Sequence, residues 1–175
     1  MGNIREIDIA SLHSSIEDVI KNSGLGFATV QSYTRIQRKL ATPAFIYELT
    51  MIEPSENPDM GTEQTQVDLH FTAYIYMGYN LDAEKMACRI LAAKTLHFIN
   101  ANRWGEPVGP AEIKTCEDDS FDPEHNGSEV WRIEWTNQAY LGNSIFEESE
   151  NVPTPSIINI GYSPDTNDID NYDQL

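Results

Sequence analysis

The chain has 175 residues, of which 28 are acidic and 11 basic, giving a net charge of −17 with 40% hydrophobic residues. That length predicts one domain with a sizeable core and room for an extension. The charge repels nucleic acid over most of the surface, which argues against a general DNA-binding role, and no apolar run approaches the ~20 residues that span a bilayer.

MGNIREIDIA at the N-terminus has no basic region followed by an apolar stretch, and Glu6 stands where a myristoylation signal needs Ser or Thr. Residues 6–22 read as a first helix, with Ile9, Leu12, Ile16, Val19 and Ile20 as its apolar stripe, Asp8 as its cap and Asn22-Ser23-Gly24 as its stop. Phe27 to Arg35 reads as a strand with Phe27, Thr29, Gln31 and Tyr33 on one face and Ala28 and Val30 on the other. A basic turn, Ile36-Gln37-Arg38-Lys39, separates it from a second strand, Ala44 to Ile52, where Phe45, Tyr47, Leu49 and Met51 alternate with Ile46, Glu48 and Thr50. Residues 53–64 are a loop by composition.

The stretch from 65 to 101 organises the rest. Val67, Leu69, Phe71, Ala73, Ile75 and Met77 alternate with polar or amphipathic residues, the period-two pattern of a strand with one buried face. Asp82 is placed to cap the next helix, whose predicted stripe is Ala83, Met86, Ala87, Ile90, Leu91, Phe98 and Ala101. Pro107 and Pro110 frame a fourth strand through Ile113. A fifth runs from Glu129 to about Leu141, with Trp131, Ile133 and Trp135 facing one way and Arg132, Glu134 and Thr136 the other. Short links between consecutive strands favour hairpins. The expected fold is therefore α+β: a mostly antiparallel or mixed sheet of about five strands, two helices on one face, and the order α-β-β-β-α-β-β. Phe71, Ile75, Ile90, Leu91, Trp131 and Ile133 are expected in the core. Residues 1–147 form the domain and 148–175 an acidic extension, because no Lys or Arg follows Arg132 and Pro, Asn, Asp and Ser dominate.

Chemistry-bearing constellations are sparse. Cys88 and Cys116 lack a Cys-x-x-Cys spacing and read as reduced thiols of a cytosolic chain. Asp118, Asp119, Asp122, Glu124 and His125 crowd one loop, but without the spacing of a calcium-binding loop they read as solvated acids. His13, His70, His97 and His125 form no paired ligand pattern, although His70 belongs to the polar face of the long strand. Trp131 and Trp135 read as core. Phosphate-binding and nucleophile-elbow motifs do not occur, so the chain reads as a non-enzyme without cofactor. Against the acidic background Arg35, Arg38 and Lys39 form a basic knuckle suited to an electrostatic contact. Ile157, Ile158 and Ile160 form a short β-prone run suited to adding to a sheet edge, with Asn167–Leu175 expected to be looser.

Several stretches together carry a resemblance. They are Asn102-Arg103-Trp104-Gly105 with Pro107-Val108-Gly109-Pro110, then Phe121-Asp122-Pro123-Glu124, then Val130-Trp131-Arg132-Ile133-Glu134-Trp135 leading to Leu141-Gly142, and Gly161-Tyr162-Ser163-Pro164-Asp165. In this combination the chain resembles the tail terminator (tail completion) proteins of tailed phages and prophages, over roughly residues 80–165. The N-terminal half matches only in its helix-then-strands order. The resemblance implies a virion structural protein without cofactor or active site, made in the host cytoplasm and placed in the tail or neck. It would cap the tail tube as a ring, commonly a hexamer, and offer a surface to the head-side connector. Its partners would be other copies of itself, the tail tube protein and the connector, with DNA at most passing through the lumen and no membrane. Two other readings stay open: a head-closure or neck adaptor, and a metal-dependent hydrolase using Asp118, Asp119, Asp122 and His125.

Overall fold

A computed structural model of the chain describes residues 6–32, 40–55, 61, 63–79, 82–119, 128–144, 159–161 and 172–174. The chain divides into two compact units, residues 1–145 and 146–175. The first is α+β in the expected order. It comprises α1 (Ile9–Lys21), β1 (Thr29–Ser32), β2 (Ala44–Pro54), β3 (Thr65–Tyr79), α2 (Asp82–Ile99), β4 (Glu112–Asp118) and β5 (Ser128–Leu141). The strands form one sheet in the order β1-β2-β3-β5-β4. In the second unit β6 (Asn159–Gly161) pairs antiparallel with β7 (Tyr172–Gln174).

The sheet is mixed. β2, β3, β5 and β4 are antiparallel, whereas β1 lies parallel to β2, with Thr29 opposite Ala44 and Ser32 opposite Tyr47. Hairpin logic fails at this junction because residues 33–43 are long enough to return the chain to the same end of the sheet. β1 begins at Thr29 rather than Phe27, and Val30 is its buried residue.

α1 follows the expected pattern. Asp8 takes a hydrogen bond from the Ala10 amide at 2.9 Å and a second from the Ser11 hydroxyl at 3.1 Å. The first bond satisfies a backbone N–H that the first helical turn leaves open, and the two together hold the Asp8 carboxyl below its ordinary range. Leu12, Ile16 and Ile20 are fully buried. Ahead of the helix, the Ile7 amide donates to the Tyr140 carbonyl at 3.0 Å, tying the N-terminal segment to β5.

α2 packs on the same face but turned from the predicted stripe. Cys88, Leu91, Ala92, Thr95 and Ile99 face inward, while Met86 and Ile90 are 56% and 50% exposed. Ile90 is therefore not a core residue. Small side chains at the contact let the helix settle close to the sheet, with Cys88 Sγ 3.8 Å from the Ile75 carbonyl oxygen. The bulkier Met86 and Ile90 would hold it off.

β3 is the central strand, fifteen residues and about 50 Å long. Val67, Leu69, Phe71, Ala73 and Ile75 all face the helices and are buried. Phe71 stacks on Trp135 at 5.2 Å between centroids and 12° between planes, with Tyr47 and His13 at its other edges. Ile133 and Trp135 are fully buried, but Trp131 is half-buried, packed against the cluster rather than inside it. On β2 the alternation breaks. Leu49 lies opposite Phe71 and Met51 opposite His70, so Thr50 is the extra residue of a bulge. Beyond it Met51 shares a face with His70, not with Leu49, and Ile52 takes the helix-side position; both stand 47% exposed.

The connector from α2 to β4 is folded round one buried amide. Asn137 on β5 accepts from the indole N–H of Trp104 at 3.0 Å and of Trp135 at 3.1 Å. It donates to the Gly109 carbonyl at 2.8 Å and the Asn102 carbonyl at 3.3 Å. Trp104 is buried in spite of its left-handed backbone (φ 60°). Gly109 lies close against β5, where a Cβ would sit 3.1 Å from Gln138 Cβ and would need a small shift of that strand or the connector.

Two substitutions test this core. Phe71→Ala should cost about 3–5 kcal/mol in denaturant unfolding, whereas Ile90→Ala should cost well under about 1 kcal/mol. Asn137→Ala should cost about 3 kcal/mol, because it leaves two buried indole donors without an acceptor and removes the donor to the Gly109 carbonyl, while the Asn102 carbonyl keeps the Ala111 amide at 2.8 Å. Equal effects for Phe71→Ala and Ile90→Ala would reverse the assignment of the α2 faces.

Candidate functional site

Among the described residues no helix side chain joins the cluster on the other face of the sheet, and that face changes character along the strands. At one end Ala44, Ile46, Tyr76 and Val130 form a small buried apolar cluster, with Leu40 and Tyr74 packed against it. Burial pushes the Tyr74 phenol above its ordinary range, and the acids Asp119 and Glu48 add to this. In the middle Arg132 pairs closely with Glu117 and lies 3.5 Å from Glu134. These pairs are substantially exposed, so they contribute little to stability and mainly keep the strip solvated.

At the far end Glu53, Asp68, His70, Glu112, Lys114, Thr136 and Gln138 line an open hollow of about 530 Å³ together with Pro54, Ser55, Gly109 and Pro110. Register explains the grouping: Glu53 lies directly opposite Asp68, Asp68 opposite Gln138, and His70 opposite Thr136. Two like charges face each other at Glu53 and Asp68, an unfavourable cross-strand pairing. His70 Nε2 lies 3.2 Å from Glu53 Oε2 without the alignment of a hydrogen bond. Lys114 is turned to Glu112 at 3.2 Å. The hollow offers carboxylates, an imidazole, an ammonium and an amide to a polar surface.

Other titratable groups are built into the packing. His13 is half-buried between α1 and the sheet, its Nδ1 3.2 Å from the Tyr47 hydroxyl, and burial lowers its pKa against the raising effect of Glu17. Burial, reinforced by Glu129 and Asp118, pushes the Cys88 thiol up to about 12, and burial also raises Cys116. Both cysteines are free thiols.

The predicted contact residues are not brought together among the described residues. Arg35, Arg38 and Lys39 lie outside them, as do Ile157 and Ile158. Ile160 is in β6, opposite Asp173 of β7, so part of the stretch expected to be loose is paired strand. Of the acidic loop, Asp118 ends β4 and Asp119 follows it; Asp122, Glu124 and His125 lie outside the described residues. Among the described residues no three of His, Cys, Asp or Glu are grouped to hold a metal ion, and no helix is long and apolar enough to cross a membrane.

The sequence reading missed the outer face of α2. Its exposed positions from residue 86 to 97 are Met86, Arg89, Ile90, Ala93, Lys94 and His97, without one acid. The signal was in the spacing, since these positions sweep one side of a 3.6-residue helix opposite Cys88, Ala92 and Thr95. Comparison of the sequence with protein-family models and with curated proteins finds no match.

The thiols give a direct check on this packing. At pH 8 iodoacetamide should alkylate Cys88 more than about a hundredfold slower than a free thiol, with full labelling only after denaturation. Fast labelling of Cys88 in the folded chain would mean that α2 is not seated on β3 and β5.

Proposed function

We propose that this chain is a virion structural protein of the tail terminator kind, which caps a tail tube as a hexameric ring and presents a surface for joining tail to head. The observation that carries this reading is the sheet itself. One face is sealed by two helices; the other runs from an apolar cluster through a charged strip to a polar hollow, a surface suited to another protein. The stretches that carry the resemblance point the same way. Asn102, Trp104, Gly109 and Trp135 are spent on the buried amide network, an architectural use rather than a chemical one.

Charge sets the terms of assembly. Six copies at −17 each bring together about −100 before counterions, so repulsion opposes ring closure and close contacts must set cations against acids. Arg35, Arg38 and Lys39 are the densest cations in the sequence and are assigned to such a contact.

Sedimentation and negative-stain microscopy of the purified chain, alone and with tail tubes, test the reading. Rings of one size that seat on tube ends are expected, and Arg38→Glu should weaken self-association while leaving circular dichroism unchanged. A chain that stays monomeric at all concentrations and leaves tube ends bare would overturn it. Rings that bind only the head-side connector would make it a neck adaptor instead.

A further inference from the structure

The exposed side of α2 is the reverse of the molecule's general character. In a chain of net charge −17, Arg89, Lys94 and His97 stand on one helix face with Lys85 at its border, and no acid is exposed on that face from residue 86 to 97. Among the described residues Lys85, Arg89 and Lys94 take part in no ion pair, whereas Lys21, Lys114 and Arg132 all do. Between the cations lie Met86 and Ile90, one helical turn apart and 56% and 50% exposed. A cationic face costs nothing in water, but two large apolar side chains set within it leave about half of their surface exposed. A basic face with apolar anchors at i and i+4 has the chemistry to take an acidic segment that carries apolar side chains of its own. Nucleic acid would use the cations and leave Met86 and Ile90 idle.

The chain supplies a segment of that description. Residues 146–175 hold seven acids, from Glu147 to Asp173, and no Lys or Arg, so seven of the seventeen net negative charges fall in this unit. The same residues include Phe146, Val152, Ile157, Ile158 and Ile169. We propose that the outer face of α2 is a docking surface for the acidic C-terminal unit of a second copy, with Arg89 and Lys94 meeting its carboxylates and Met86 and Ile90 its apolar side chains. This rests on the self-assembly reading above and names the contact that would link neighbours. It also reduces the mutual repulsion of the copies, because the acidic unit of each is partly neutralised by the basic face of the next.

A double-mutant cycle on the full-length chain decides it, read as the self-association constant from sedimentation at low salt. One variant combines Arg89→Glu with Lys94→Glu. The other replaces the seven acids after residue 145 by their amides. All these changes leave the core of the first unit untouched, and circular dichroism checks that each variant is folded. Each variant should weaken self-association at least about tenfold, and the two together no further than either alone, because they remove opposite sides of one contact. Unchanged association in the helix variant, or losses that multiply to about a hundredfold in the combination, would overturn the docking while leaving the ring reading intact. A parent chain that does not self-associate would overturn both.

Discussion

The structure depends on one buried amide. Asn137 has no exposed surface, and its side chain serves two indoles and two carbonyls at once. The two buried indole N–H groups would otherwise cost free energy, so the amide, with its bonds to the Gly109 and Asn102 carbonyls, settles where the connector between α2 and β4 lies. Through Trp104 and Trp135 it also fixes the aromatic cluster that continues to Phe71 and Tyr47. The left-handed Trp104 and the crowded Gly109 are the local consequences: the backbone bends to bring both ends of the connector to the same side chain.

From that anchor the molecule divides into two unlike surfaces. Toward the helices, β3 presents a row of apolar side chains from Val67 to Ile75, β5 continues it with Ile133, Trp135 and Ala139 around the single amide of Asn137, and α1 and α2 pack on this face. Away from them, the same strands present a surface that turns from apolar to charged. The bulge at Thr50 resets the end of β2, placing Met51 and Glu53 on the outer face opposite His70 and Asp68. A strand can carry two such programmes because alternate side chains answer to different solvents.

Among the described residues charged groups stand on the outer face of the sheet and on α2. The described nucleophilic thiols are pushed toward their inert form by burial, and the charged groups stand in strips and hollows open to water. Such surfaces suit association, where many weak polar contacts choose the partner and a few apolar anchors hold it. The large net charge adds repulsion to any contact with another acidic surface and favours contacts that set cation against acid.

Local patterns in the sequence determined much of this architecture. The stripe Leu12, Ile16, Ile20 and the cap at Asp8 defined α1, and the alternation from Val67 to Ile75 defined the buried face of β3. Neighbouring residues encode such periodicities, and no distant contact is needed to see them. What only the tertiary structure decided depends on pairing across the chain. α2 holds two apolar rows, and the row with Cys88, Ala92 and Thr95 won because small side chains allow a close approach to the sheet; Met86 and Ile90 were thereby left outside. The parallel setting of β1, the bulge at Thr50 and the half-exposure of Trp131 follow from register, which periodicity does not carry. The hollow round His70 arises only when β2, β3, β5 and β4 lie side by side. Asn137 looks like one polar residue on a strand until two tryptophans and two carbonyls from other parts of the chain converge on it, because a hydrogen-bond partner is chosen by distance in space and not by distance in sequence.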